Sequence, residues 1–159
     1  MDYRVWSDKG TIVNFYILSD TVTTLEYAFT DVVQGTSYQF FVQARNAYGY
    51  SVFSQFVFIL AAQVPDQPAQ PTTVWSPDDV IVSWTEPDSG GSPLTGYTVL
   101  FIQHDGAYSS EPTNCDMTSS LLTTCTVPVL ALKSEPFSLD WGSSVFVKVI
   151  ATNGYGSSE

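Results

Sequence analysis

Charge is what this chain has least of. Charged side chains make up 13% of its 159 residues, about half the usual share. They lean one way, 16 acidic against 5 basic for a formal net charge of -11. So small a basic complement argues against nucleic acid, whose binding rests on Lys and Arg neutralising phosphates, and against anionic membrane surfaces for the same reason. Histidine occurs once, His104 in the turn QHDG. With no second His and no cysteine cluster there is no zinc ligand set, and His104 reads as an exposed turn residue. No Ser lies in a Gly-x-Ser-x-Gly elbow, no stretch matches a calcium loop, and Gly90 and Gly91 precede no helix that could cradle a phosphate. No catalytic residue, metal ligand or cofactor is therefore assigned, and the chain reads as a non-enzyme. The most apolar run, FVFILAA at 56–62, is far short of the ~20 residues a bilayer helix needs, so no membrane insertion is expected in this window. Asn-x-Ser/Thr sequons are missing; Thr72 and Thr73 beside Pro71 are candidate sites for O-linked glycans.

Cysteine is scarce too. Cys115 and Cys125, the only two, stand in EPTNCDMTSSLLTTCTVPV, which reads as one hairpin. Ser, Thr and Asn around them point to a disulfide and so to an oxidising compartment; the other reading is two buried free thiols. Closing so short a loop contributes roughly 2 to 3 kcal/mol in the chain-entropy picture.

What is present is a repeated pattern. FFVQARNAYG at 40–49 and VKVIATNGYG at 147–156 place Ala, Asn, Tyr and Gly at the same offsets, and DYRV at 2–5 matches GYTV at 96–99. Repetition at such a distance marks an internal duplication. Between the copies stands VIVSWTEP at 80–87. Together these segments resemble tandem fibronectin type III domains, and the longer excursion in the second copy is similar to repeats of large secreted or cell-surface proteins of protists, ciliates among them. The resemblance implies an all-β fold of immunoglobulin-like sandwiches in tandem, each with strands A, B, C, C′, E, F and G in two packed sheets. In this frame residues 1–63 are the C-terminal part of one domain, strands C to G, without A and B. Residues 64–71, with Pro65, Pro68 and Pro71, form the junction, and 72–159 are strands A to F of a second domain, without G. The missing strands would come from a longer polypeptide or from strand exchange between copies.

Strand C of the first copy carries Tyr3, Val5 and Trp6, C′ is placed at NFYIL (14–18), E at Leu25, Tyr27 and Phe29, F from Tyr38, and G at SVFSQFVFIL (51–60). The resemblance makes Tyr38 a tyrosine corner, Trp84 the core tryptophan of the second copy, and Tyr3 and Tyr97 core residues of their strands C. In the second copy Val145 stands where the corner Tyr would be. Trp141 is expected to fill that volume, with Leu139 matching Val32 as the corner contact, and the disulfide would join the C′ region to strand E. YSVFS at 50–54 is distantly similar to the Trp-Ser-x-Trp-Ser box of cytokine receptors, although Ser after the loop Gly is ordinary in fibronectin type III domains.

Several strands are apolar at both parities, whereas a sheet with one wet face should alternate. If Tyr3 and Val5 face the core, Trp6 points out; if Phe40 and Val42 do, Phe41 points out. Leu100, Ile102, Phe146 and Ile150 do the same in the second copy. Because strands C, F, C′ and G share a sheet, these residues are read as one candidate interface, of the kind that contiguous apolar patches mark. The first functional reading is an extracellular or cell-surface structural module, a segment of a fibre- or coat-forming protein whose partner is itself or neighbouring domains of the same polypeptide. The alternative, from another class, is a ligand-binding ectodomain of a receptor or adhesin using the loops at one end.

Overall fold

A computed structural model describes residues 1–159 and divides them into two compact units, Met1–Ala62 and Gln63–Glu159. The first unit is a single antiparallel sheet. Strand β1 (Asp2–Ser7) lies between β2 (Tyr16–Val22) and β3 (Ser37–Asn46). Strand β3 also pairs with the two pieces of strand G, β4 (Gly49–Tyr50) and β5 (Val57–Leu60). This is the C′–C–F–G sheet without a second layer. Between β4 and β5 serine hydroxyls stand in for the ladder: Ala44 and Val42 donate their N–H groups to Ser51 Oγ at 3.0 Å and Ser54 Oγ at 2.9 Å. Strand C′ runs from Tyr16, later than the NFYIL placement, because residues 12–15 close a turn in which Ile12 has a positive φ of 64°.

The expected strand E of the first copy does not form. Residues 23–36 carry no strand, and the cause is pairing: in this fold E hydrogen-bonds to B, which the first unit lacks. The tyrosine corner does form. Tyr38 is buried, and the Val33 N–H donates to its hydroxyl at 2.7 Å. Asp8 is fully buried at the end of β1, where Oδ1 accepts the N–H groups of Gly10 at 3.0 Å and Gln39 at 2.9 Å. Its place in a turn was legible in DKG; its burial was not.

The second unit is a two-layer sandwich. One sheet holds β10 (Thr124–Pro128), β7 (Asp79–Ser83) and β6 (Thr72–Ser76); the other holds β12 (Gly156–Ser157), β11 (Val147–Asn153), β8 (Leu94–Ile102) and β9 (Tyr108–Ser110). Alternation on the strands sends Val80, Val82 and Trp84 from one sheet to meet Tyr97, Val99, Phe101 and Val149 from the other, all in one core. The Trp84 and Tyr97 rings meet edge to face at 5.4 Å. Burial raises the Tyr97 phenol above its ordinary pKa, the Glu86 charge adds to this, and the neighbouring indole offsets part of it. Strand G is not wholly missing here, since β12 pairs with the end of β11. Nor does the proline-rich stretch stand apart: Pro65 and Pro68 are buried, and the Gln63 and Asp66 N–H groups donate to Gly90 O at 2.8 Å and Asp88 O at 3.0 Å.

Cys115 and Cys125 are bonded, with Cα atoms 5.4 Å apart. They do not bridge one hairpin, because β9 and β10 belong to different sheets; the bond ties the loop leaving one layer to a strand of the other. After Pro128 a short helix α1 (Val129–Lys133) begins the excursion. Trp141 does not fill the corner. It is 75% exposed, with Lys133 Nζ 4.3 Å above its ring, while Phe137 is buried against Phe101 at 6.1 Å and Leu139 is buried beside them. Phe137 points inward because its N–H and that of Ser138 are both held by Ser134 O, a tight turn that leaves Trp141 on the rim.

Candidate interaction surfaces

The first unit's sheet has two faces of opposite character. On the outer face Trp6 stands opposite Phe41, and the two rings stack at 5.7 Å. The break in strand G drops Phe53 and Phe56 onto Phe41 at 4.7 and 5.4 Å, and Phe15 from the β1–β2 turn approaches it at 4.9 Å. Phe41 is therefore only 7% exposed. The expectation that it presents itself to a partner is wrong: it is the floor of a cluster made by its own chain. Aromatic edge-to-face and offset contacts of this kind stabilise beyond simple area burial. The exposed part of this face is the rim: Ile17, Phe53, Phe56 and Phe58, the last 68% exposed. Trp6 is half-buried, and its indole N–H donates to Gln43 Oε1 at 3.2 Å.

Beside this cluster Tyr50 is sandwiched by cations, with Arg4 3.8 Å and Arg45 5.3 Å from its ring. Arg45 in turn makes a bidentate ion pair with Asp2, whose hydrogen bonds hold the Asp2 carboxyl below its ordinary pKa and push the guanidinium above its own. The YSVFS segment thus sets Tyr50 and Phe53 on the outer face and Ser51 and Ser54 into the backbone ladder. Its spacing was visible in the sequence, but Phe15 and Phe56 as partners were not, because they come from turns whose direction no periodicity reports.

The inner face of the same sheet is open. Tyr3, Val5, Tyr38, Phe40 and Val42 floor a groove of about 650 Å³, and Leu25, Tyr27 and Phe29 from the strandless stretch line its side. Tyr3, expected in a core, is only half-buried, and Val32 of the corner is nearly half exposed.

In the second unit Leu100 lies opposite Lys148 and Ser110, and Ile150 opposite Thr98, on the outer face of the β8–β11 sheet. Both are half-buried. Ile102 is partly buried against the core, so it contributes little outward area; Phe146 is exposed. Lys148 Nζ sits 4.2 Å over the Tyr108 ring. A groove of about 410 Å³ opens between Trp75 and the corner carrying Leu139, Trp141 and Val145. It borders residues 144–147, which lack the partner that β5 gives residues 37–40 in the first unit. His104 is largely exposed, 3.8 Å from Asp140, and no group of three His, Cys, Asp or Glu side chains converges anywhere.

No protein-family model matches the chain. Its sequence is 33% identical over 110 residues to a Kelch domain-containing protein of Saccharolobus solfataricus, an alignment covering 69% of this chain and 15% of that protein. The chain therefore spans a small part of the length of that curated relative. Among solved structures it is similar to a multidomain segment of titin, with a TM-score of 0.53 and 23% identity over 99% of this chain and 51% of that one. It is also similar to a two-domain fibronectin type III segment of chicken tenascin, with a TM-score of 0.50 and 16% identity over 100% of this chain and 80% of that one. These likenesses establish the fold: all-β, with immunoglobulin-like fibronectin type III domains in tandem.

Proposed function

We infer that the chain is an extracellular structural module, a segment of a longer fibre- or coat-forming protein that packs through the outer faces of its C–F–C′–G sheets. The observation that carries this reading is the rim of Ile17, Phe53, Phe56 and Phe58, exposed together on one sheet face, as contiguous apolar patches at interaction surfaces are. Fibronectin type III tandems are commonly extracellular structural or adhesion modules, and the buried disulfide fits an oxidising compartment. A loop-based ligand-binding ectodomain is the second reading. Against it, the hairpin loop between β3 and β4 is only Ala47 and Tyr48. Phe58→Asp tests the first reading: a carboxylate buried in a contact without a partner is costly, while Phe58 contributes little to its own unit. Sedimentation should show weakened self-association with an unchanged circular dichroism spectrum. Undiminished association in this variant, or negative-stain images of dispersed particles in native material, would favour the loop-based reading.

A further inference from the structure

The second copy carries a loop that the first does not. Residues 111–123 lie between β9 and β10, whereas only residues 23 and 24 separate β2 from Leu25, Tyr27 and Phe29 in the first copy. The insertion is braced along its length. Cys115 is bonded to Cys125, Met117 O accepts the N–H groups of Tyr97 at 2.7 Å and Ser120 at 3.1 Å, and Thr123 O accepts the Trp84 N–H at 3.0 Å. Gly96, having no Cβ, leaves room for the Thr118 carbonyl against β8. On this fixed backbone Leu121 is 58% exposed and Leu122 65% exposed, and neither belongs to the core. A loop already ordered loses little freedom on docking, so its two leucines are pre-organised anchors.

A complementary surface lies on the outer face of the first unit. Asp2, Arg4 and Trp6 of β1 stand opposite Arg45, Gln43 and Phe41 of β3. Arg4 and Arg45, two of only five basic residues, converge on one hydroxyl: Arg4 Nη2 and Arg45 Nη1 donate to Tyr50 Oη at 2.6 and 3.0 Å. Arg45 is answered by Asp2. Arg4 meets the rings of Tyr50 and Trp6 but no carboxylate, and its Nε is buried without a hydrogen-bond partner. Beside the exposed aromatic rim this face therefore holds a cation unmatched by acid, which fits apolar side chains accompanied by a carboxylate. The braced loop offers that combination. Asp116 is exposed on it, and hydrogen bonds from the Thr118 hydroxyl at 2.6 Å and N–H at 3.1 Å hold its carboxyl below the ordinary pKa.

We propose that this loop of one copy docks on the outer face of the first unit of a second copy, with Leu121 and Leu122 against Phe53, Phe56 and Phe58, and Asp116 beside Arg4. This contact rests on the assembly reading above and specifies which surface of the partner meets the rim. Two different surfaces meet, so each added copy leaves one of each free and copies join head to tail, the heterologous arrangement of filaments and rings. A face packed on its own twin would stop at a pair.

The test is sedimentation of full-length variants, alone and mixed. Phe58→Asp spoils the face and keeps the loop; Leu121→Asp with Leu122→Asp spoils the loop and keeps the face. Each alone should sediment as a monomer with the circular dichroism of the parent, and an equimolar mixture should recover association that ends at a one-to-one pair. Asp116→Asn, which retains an acceptor for Thr118 and so leaves the loop braced, should weaken association of the otherwise unchanged chain about tenfold, the loss expected for a charged contact. The proposal is overturned if the leucine variant associates like the parent, if the mixture stays monomeric, or if Asp116→Asn has no effect. When Phe58→Asp alone weakens association and the leucine variant does not, the assembly reading stands and the rim meets another surface. When Phe58→Asp has no effect, both fall.

Discussion

Gly96→Ala is a one-carbon change that the structure makes expensive. Gly96 lies in β8 with ordinary strand backbone, so the requirement for glycine is one of space and not of conformation. The loop carrying Cys115 crosses directly over it: a Cβ at Gly96 would stand 2.3 Å from the carbonyl oxygen of Thr118, 2.5 Å from its carbon and 2.7 Å from Met117 O. Ordinary contact begins near 3.4 Å, so the loop must retreat by about 1 Å. It cannot do so freely, because the disulfide anchors it at Cys115 and the Tyr97 N–H donates to Met117 O at 2.7 Å. Overpacking against backbone costs about 1 to 3 kcal/mol, and loss of the Tyr97 bond adds ~1 kcal/mol, giving roughly 2 to 4 kcal/mol. The first copy supplies an internal control, since Asp2 stands at the equivalent position, where no loop crosses, and its side chain is free to pair with Arg45. Urea unfolding followed by tryptophan fluorescence reads this out, as a lower midpoint at constant m reports a loss of stability. Gly154→Ala is the comparison variant: its added Cβ would meet only Ser92 Oγ, at 3.5 Å, and should be near neutral. If Gly96→Ala costs less than about 1 kcal/mol, or no more than Gly154→Ala, the placement of the 115–120 loop over β8 is wrong.

Trp84→Ala should cost about 3 to 5 kcal/mol as a large core truncation; a loss under about 1 kcal/mol in the same urea assay would contradict its burial between the sheets. Reducing the Cys115–Cys125 bond should lower stability by roughly 2 to 3 kcal/mol, the loop-closure value for so short a loop. Equal midpoints with and without reductant would show that the bond does not constrain the unfolded chain. Arg45→Ala should return the Asp2 carboxyl to its ordinary pKa, read by NMR titration. Because Asp2 is depressed in the folded state, its pairing stabilises above the unfolded value near ~3.9 and is lost as pH falls through the lower folded value. The variant should therefore be less sensitive to acid than the parent across that window, and an Asp2 titration that ignores Arg45 would refute the ion pair's role.

Taken alone, the sequence determined the class and much of the wiring. The Ala-x-Asn-x-Tyr-Gly repeat, Trp84 and the alternation of Val80, Val82, Val99 and Val149 identify paired strands and an inward face, because strand periodicity is a local property of the backbone that any folded context must respect. The scarcity of Lys, Arg and His was equally legible. The tertiary structure alone decided which apolar residue on a both-sided strand is covered and by what. Phe41 and Val42 are apolar neighbours on one strand, yet Phe41 is sealed by Phe15, Phe53 and Phe56 while Val42 lies open. The same holds for Phe137 against Trp141, and for residues 25–29, whose pattern is that of a strand but whose partner is lacking. Parity says that a side chain leaves the sheet on one side or the other. What meets it there comes from turns and segments distant in sequence, and a strand exists only when another backbone takes its hydrogen bonds.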